Sequence, residues 1–140
     1  MSRLRTASPY LLTALLAGAG ATHFLQPGFY DPIVPHALPG PARFWTYLSG
    51  VAELGVAAAV GFPRTRRLGA LAAAGLFVAV FPANIQMAVD AHTTAMKTIA
   101  YARLPLQLPI IVWALKTAQW SRPSDSVVRP RSTSGAISSS

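Results

Sequence analysis

Six residues are the ones that could do chemistry in this chain: His23, Ser49, Glu53, Asn84, Arg103 and Gln107. Each lies within or beside an apolar stretch. Glu53 is the sharpest case, the one charged residue between Phe44 and Phe62. A carboxyl group in apolar surroundings is costly, so it is kept for a partner, a ligand or a proton. Together the six offer hydrogen-bond donors and acceptors. They do not form a paired nucleophile and base, and no catalytic residue is assigned. The chain has no cysteine, which removes disulfides, thiol redox chemistry and cysteine metal sites. His23, His36 and His92 share no spacing, so no metal site is expected, and His23 alone gives no basis for haem. No independent catalytic activity is expected.

The elements that must position these residues are read from composition. Of 140 residues, 52% are hydrophobic and only 11% charged, against roughly a quarter charged in soluble domains. A chain this short cannot bury so much apolar surface by itself, which points to lipid as the solvent. Four stretches, about Pro9–Gln26, Phe44–Phe62, Leu68–Val89 and Leu104–Trp120, approach the roughly 17–25 residues of a membrane-spanning helix. None alternates like a strand, and backbone groups in lipid must be satisfied internally. The fold class expected is therefore all-α, an integral membrane four-helix bundle over 9–120. Residues 1–8 form an N-terminal lead, and 121–140 a Ser-rich basic tail expected to be disordered.

Charge placement orients the bundle. Arg3 and Arg5 precede the first stretch, Arg64, Arg66 and Arg67 lie between the second and third, and Arg122, Arg129 and Arg131 follow the fourth. The positive-inside rule then puts both termini in the cytoplasm. Tyr10, Trp45, Tyr47, Tyr101 and Trp120 fall near the expected interfaces. The net charge of +8 is spread over helix ends rather than one soluble basic face, so lipid and not nucleic acid is the expected partner. The basic start and small residues of the first stretch also resemble a cleavable signal peptide, but the apolar run continues through Leu25 and an uncleaved helix is expected.

Depth and side-chain direction bring the polar residues together. At about 1.5 Å per residue, Glu53 lies roughly 15 Å below Arg43, near the middle of a ~30 Å core. Helical side chains lean toward their own N-terminus, so His23 and Asn84 lean inward and Glu53 leans outward toward them. Arg103, at the start of the fourth stretch, is expected to roof the site with Gln107 on its face, unless that helix begins earlier in KTIAYAR. Pro82 should free the carbonyl of Val78, to which a protonated Glu53 could donate. The bland alternatives stand beside these: Glu53 as a structural hydrogen-bond donor, His23 as a helix contact, Asn84 and Gln107 as interhelical glue. FYDPIVPHALPGP is rich in proline and apolar residues, and reads as an ordered cap or as an interfacial anchor.

The stretches HFLQPGFYDPIVPHALPGP, SGVAELG, PRTRR, FPANIQMA and RLPLQLP, in that order, resemble the DoxX-like family of small four-helix bacterial membrane proteins. The resemblance runs from about Ala14 to Leu115. It highlights His23, Pro27, Tyr30, Pro35, Ser49, Gly50, Glu53, Pro82, Asn84, Arg103, Pro105 and Gln107. It implies the bacterial inner membrane, and an accessory role beside a membrane oxidoreductase complex with a quinone as ligand. His23, Ser49, Glu53, Asn84, Arg103 and Gln107 would form the ligand pocket. A proton-coupled small-solute transporter acting as a homodimer, and a purely structural scaffold, are the alternative expectations.

Overall fold

The computed structural model describes residues 2–122, and these are mostly helical with no strand among them. The expected Ser-rich disordered tail lies outside the described residues. Helix α1 spans Ser2–Leu25, α2 Pro27–Tyr30, α3 Ala42–Gly61, α4 Arg66–Ala79, α5 Phe81–Val89 and α6 Thr94–Trp120, with a 3-10 turn at Asp31–Ile33. Three helical segments are long and apolar enough to cross a membrane: Ala42–Gly61, Arg66–Val89 (α4 and α5 in succession) and Thr94–Trp120. α1 is not among them, its apolar run being diluted by a basic first turn and by Thr13, Thr22 and His23.

The chain's two ends meet at one end of the molecule. Ser8 on α1 donates to Thr117 on α6 at 2.7 Å, and Trp113 Nε1 donates to Ser8 at 2.8 Å. Thr117 in turn donates to the Trp113 carbonyl at 2.9 Å, so the hydroxyls of Ser8 and Thr117 are both used. Arginines lie over aromatic rings here, Arg5 over Trp120 at 5.8 Å and Arg66 over Tyr10 at 5.2 Å. The core beside this basic end is small and tightly filled, with Leu12, Leu16, Ala57, Val60, Ala70, Ala73 and Ala114 from four helices. Small residues let helix backbones approach closely, which is how helices pack where lipid removes the hydrophobic drive between them. The large apolar side chains face outward instead: Val51, Leu108 and Val89 are 59%, 69% and 72% exposed. That distribution inverts a water-soluble domain.

Two helix boundaries depart from the expected ones. α6 begins at Thr94, not near Leu104, because Thr93 caps it, its hydroxyl accepting from Met96 N–H at 3.2 Å. The added turns are less apolar but good helix formers. They place Arg103 inside a helix rather than at its mouth. The second departure is at Pro82, where the third span breaks into α4 and α5 at Val80, with proline in the first turn of α5.

Candidate functional site

The site is built on the crossing of α1 and α3. Gly20 and Gly50 face each other there, and neither has room for a side chain. A Cβ on Gly50 would stand 2.6 Å from Phe24 Cε2 and 2.9 Å from His23 Cβ; one on Gly20 would stand 2.9 Å from Leu54 Cγ. The close approach decides what happens one turn away. His23 leans back along α1 and Glu53 back along α3, and they meet with His23 Nδ1 3.2 Å from Glu53 Oε2.

The hydrogen bond of His23 goes elsewhere. Nδ1 stands 2.8 Å from the Ala19 carbonyl, which can only accept, so Nδ1 carries the proton and donates to it. With a proton on Nδ1, Nε2 can accept only when the ring is neutral. The contact with Glu53 is close in space but is not a hydrogen bond, and Glu53 Oε2 is buried with no hydrogen-bond partner among the described residues. The imidazole is fixed from the other side by Tyr30, whose ring stacks on it at 3.7 Å with the planes 20° apart. Tyr30 is itself held, its hydroxyl donating to Thr22 Oγ1 at 2.6 Å.

Tyr30 belongs to a cap that covers the end opposite the basic one. Its ordered path follows from three anchors. Asp31 Oδ2 accepts from Arg43 Nε at 2.8 Å, Asp31 Oδ1 accepts from Thr46 Oγ1 at 2.7 Å, and the Pro39 carbonyl accepts from Trp45 Nε1 at 2.7 Å. Gly40, at φ 83°, makes the left-handed turn into α3 that a residue with a side chain rarely adopts. The Arg43 guanidinium, and then the Thr46 hydroxyl, hold the Asp31 carboxyl below its ordinary pKa. His36, in the same cap, is exposed and stands 3.9 Å from Asp90 Oδ2.

Beneath the cap lies a cavity of about 580 Å³. Its wall is mostly apolar, with Ile33, Leu38, Leu48, Leu76 and Val80 among the contributors. His23, Ser49, Glu53, Asn84 and Arg103 face it, so five of the six expected residues share one space. Gln107 does not line it. Gln107 Nε2 donates to the Phe77 carbonyl and its Oε1 accepts from Asn84 Nδ2 at 2.8 Å. This carbonyl is at the helix break, so the acceptor beside Pro82 belongs to Phe77 and is taken by Gln107. The expected use of the Val78 carbonyl by Glu53 is replaced by this arrangement. Because Phe77 can offer only a carbonyl, both amide orientations are set and Asn84 Oδ1 is left as an acceptor.

Arg103 lines the cavity as well. It reaches the cavity from within α6, close enough for its charge to act on Glu53. The acid–base contacts within 4 Å among the described residues are His23–Glu53, His36–Asp90 and Arg43–Asp31, so Arg103 closes none with Glu53. Gln86 points away, donating to Asp90 at 2.7 Å. The stacking of Tyr30 on His23 and the Asp31–Arg43 clasp are the parts of the site that the polar-residue reading did not foresee. A tyrosine seven residues after a buried histidine was the available signal for the first. No group of three or more metal-ligating residues occurs among the described residues.

These helices define a class before any activity: an all-helical protein with apolar outer faces and a capped cavity holding buried polar groups. The chain belongs to the family described as a domain of unknown function, DUF8561, whose family model matches residues 12–118. That span includes all six expected residues and the whole cap. No curated protein and no solved structure matches the chain.

Proposed function

We propose that this is a multi-pass membrane protein that binds a small amphipathic molecule in the capped cavity. The observation that carries the reading is the cavity itself. A volume of about 580 Å³, apolar walls and a few convergent polar groups match sites that hold small molecules, which commonly span about 300–1,000 Å³. In this reading α1 is a fourth span, both termini lie in the cytoplasm with the basic end, and the cap faces the outer side of a bacterial inner membrane. Segregation of Arg3, Arg5, Arg64, Arg66, Arg67 and Arg122 to one end supports that orientation.

A quinone is one ligand of the right shape, as the resemblance to DoxX-like proteins implies. Arg103 and Ser49 are the groups here that can donate to its carbonyls. A bound quinone would supply two-electron redox chemistry, while the chain's own residues would hold and orient it. Electrons would come from a membrane oxidoreductase partner, which makes an accessory role the natural one. The test uses cavity filling. A decyl benzoquinone or an alkyl phenol should raise the melting temperature of the purified protein, and Ala52→Phe, at the cavity wall, should abolish the rise. A melting temperature unmoved by either compound would remove the reading.

A second reading is favoured by the break at Val80 beside Asn84. Interrupted helices at a central site are a feature of transporters, and Glu53 would then carry the coupled proton in a homodimer. Proton-linked solute uptake in proteoliposomes, lost in Glu53→Gln, would separate this from simple binding.

A further inference from the structure

The basic end carries a second, smaller recess on the outside of the bundle, between α4 and the last turns of α6. Arg67 and Leu71 share one face of α4, and Leu115, Ala118, Gln119 and Arg122 follow one face of α6 and the turn after it. Together they line about 160 Å³, room for a head group rather than for a whole ligand. The floor is the buried Ala118, and the flanks are the exposed Leu71 and Leu115. The arginines of this end are not all alike. Arg66 donates to the Val60 and Gly61 carbonyls and lies over Tyr10, while Arg5 lies over Trp120. Arg67 and Arg122 are exposed, and have no acid within 4 Å and no aromatic partner among the described residues. Two guanidiniums that are always charged and line one recess repel each other, and an anion between them is stabilised by both. Gln119 adds an amide that can donate to the same anion. Leu71 lies about one turn further into its helix than Arg67, and Leu115 about two turns further in than Arg122. An occupant therefore meets charge at the mouth of the recess and apolar side chains toward the middle of the spans.

We infer that this recess binds an anionic phospholipid, with the head-group phosphate between Arg67 and Arg122 and an acyl chain along Leu71 and Leu115. That polarity, charge outermost and apolar further in, is the polarity of a phospholipid in its leaflet. Tyr10 and Trp120, with arginines over their rings at the same end, are the residue types that gather at a membrane interface. The inference rests on the membrane-spanning reading above but not on the capped cavity or its ligand. It involves binding only, with no bond made or broken.

The experiment titrates the detergent-purified full chain with phosphatidylglycerol, with phosphatidylcholine of the same acyl chains, and with inorganic phosphate, reading bound states by native mass spectrometry. Phosphatidylglycerol should bind at least about fivefold more tightly than phosphatidylcholine, the advantage of one net charge near basic residues. Arg67→Gln combined with Arg122→Gln should lower its affinity about tenfold or more, as expected when hydrogen bonds to a charged group are lost. Arg3→Gln combined with Arg64→Gln removes the same charge from the same end without touching the recess, and should keep most of the affinity. Circular dichroism and gel filtration check that both double variants fold. Equal losses in the two double variants, or equal binding of the two lipids, would overturn the recess as a site and leave only a diffusely basic surface. Inorganic phosphate binding as tightly as phosphatidylglycerol would overturn the lipid and leave a site for a soluble anion. None of these outcomes bears on the melting-temperature test of the capped cavity, so the two readings fail separately.

Discussion

The two ends of this molecule use the same kinds of polar residue to opposite effect. At the basic end, Ser8, Trp113 and Thr117 form a chain in which every donor has an acceptor, although Thr13 Oγ1, beside Gly61, is buried without a partner. Beneath the cap, His23, Asn84 and Gln107 also make hydrogen bonds, but these bonds are arranged so that Glu53 Oε2 has none. A closed network holds helices together, whereas the network beneath the cap leaves one buried oxygen unpaired. Packing follows the same division, with alanine-filled contacts at one end and a cavity of about 580 Å³ at the other.

The strongest way to break the comparison is to remove the crossing on which the capped end is built. Gly50→Val places atoms where Phe24, His23 and the Gly20 backbone already stand, and should cost about 3 kcal/mol or more. A large fall in melting temperature, with loss of ligand response, is expected. A mild fall would mean that α1 and α3 can separate without consequence. Next in size is Gln107→Leu, which strips Asn84 and the Phe77 carbonyl of their partner and should cost about 1–3 kcal/mol. It should also loosen the α4–α5 break, read as faster amide exchange near Asn84.

A pair of substitutions with opposite signs sharpens the contrast. Thr117→Val opens the closed network and should destabilise by about 0.6 kcal/mol, the average for such bonds between membrane helices. Glu53→Leu removes an unpaired buried group and should raise the melting temperature of the ligand-free protein. If both destabilise, the two ends are not different in kind.

The smallest effect is at the cap. Asp31 is stabilised in its charged form by Arg43 and Thr46, so its folded pKa lies below the unfolded one. Its contribution is fully present above the unfolded value and is lost as pH falls through the folded one. Melting temperature should therefore drop on acidification below about pH 4, near the unperturbed Asp value. That drop should be smaller in Asp31→Asn and in high salt, since Arg43 is half exposed. An acid response identical in Asp31→Asn would remove the clasp from the account.

Much of this was legible from order and composition. Apolar runs and helix-forming residues locate α3, the α4–α5 pair and most of α6, because hydropathy over a span-length window reports which helices are long and apolar enough to cross a membrane. Side-chain lean along each helix was enough to aim His23 and Glu53 at each other. The start of α6 was not legible, because TAMKTIAYAR forms a helix without being apolar, and hydropathy measures only the second property. Misplacing that start misplaced Arg103. Gln107 was grouped with the cavity because it shares a helical face with Arg103, although helical phase says nothing of which group stands in front.

By itself the sequence determined that the described chain is helical, that its apolar runs approach the length of a membrane span, and that most of its basic residues lie toward one end. These are one-dimensional properties, set by residue type and spacing. The tertiary structure alone decided which polar atoms are spent and which are left. That depends on the register of one helix against another, set here by Gly20 against Gly50, and on a cap that brings Tyr30 onto His23 from outside the helices. A hydrogen bond forms or fails over a fraction of an ångström, and no pattern along a chain resolves distances that small.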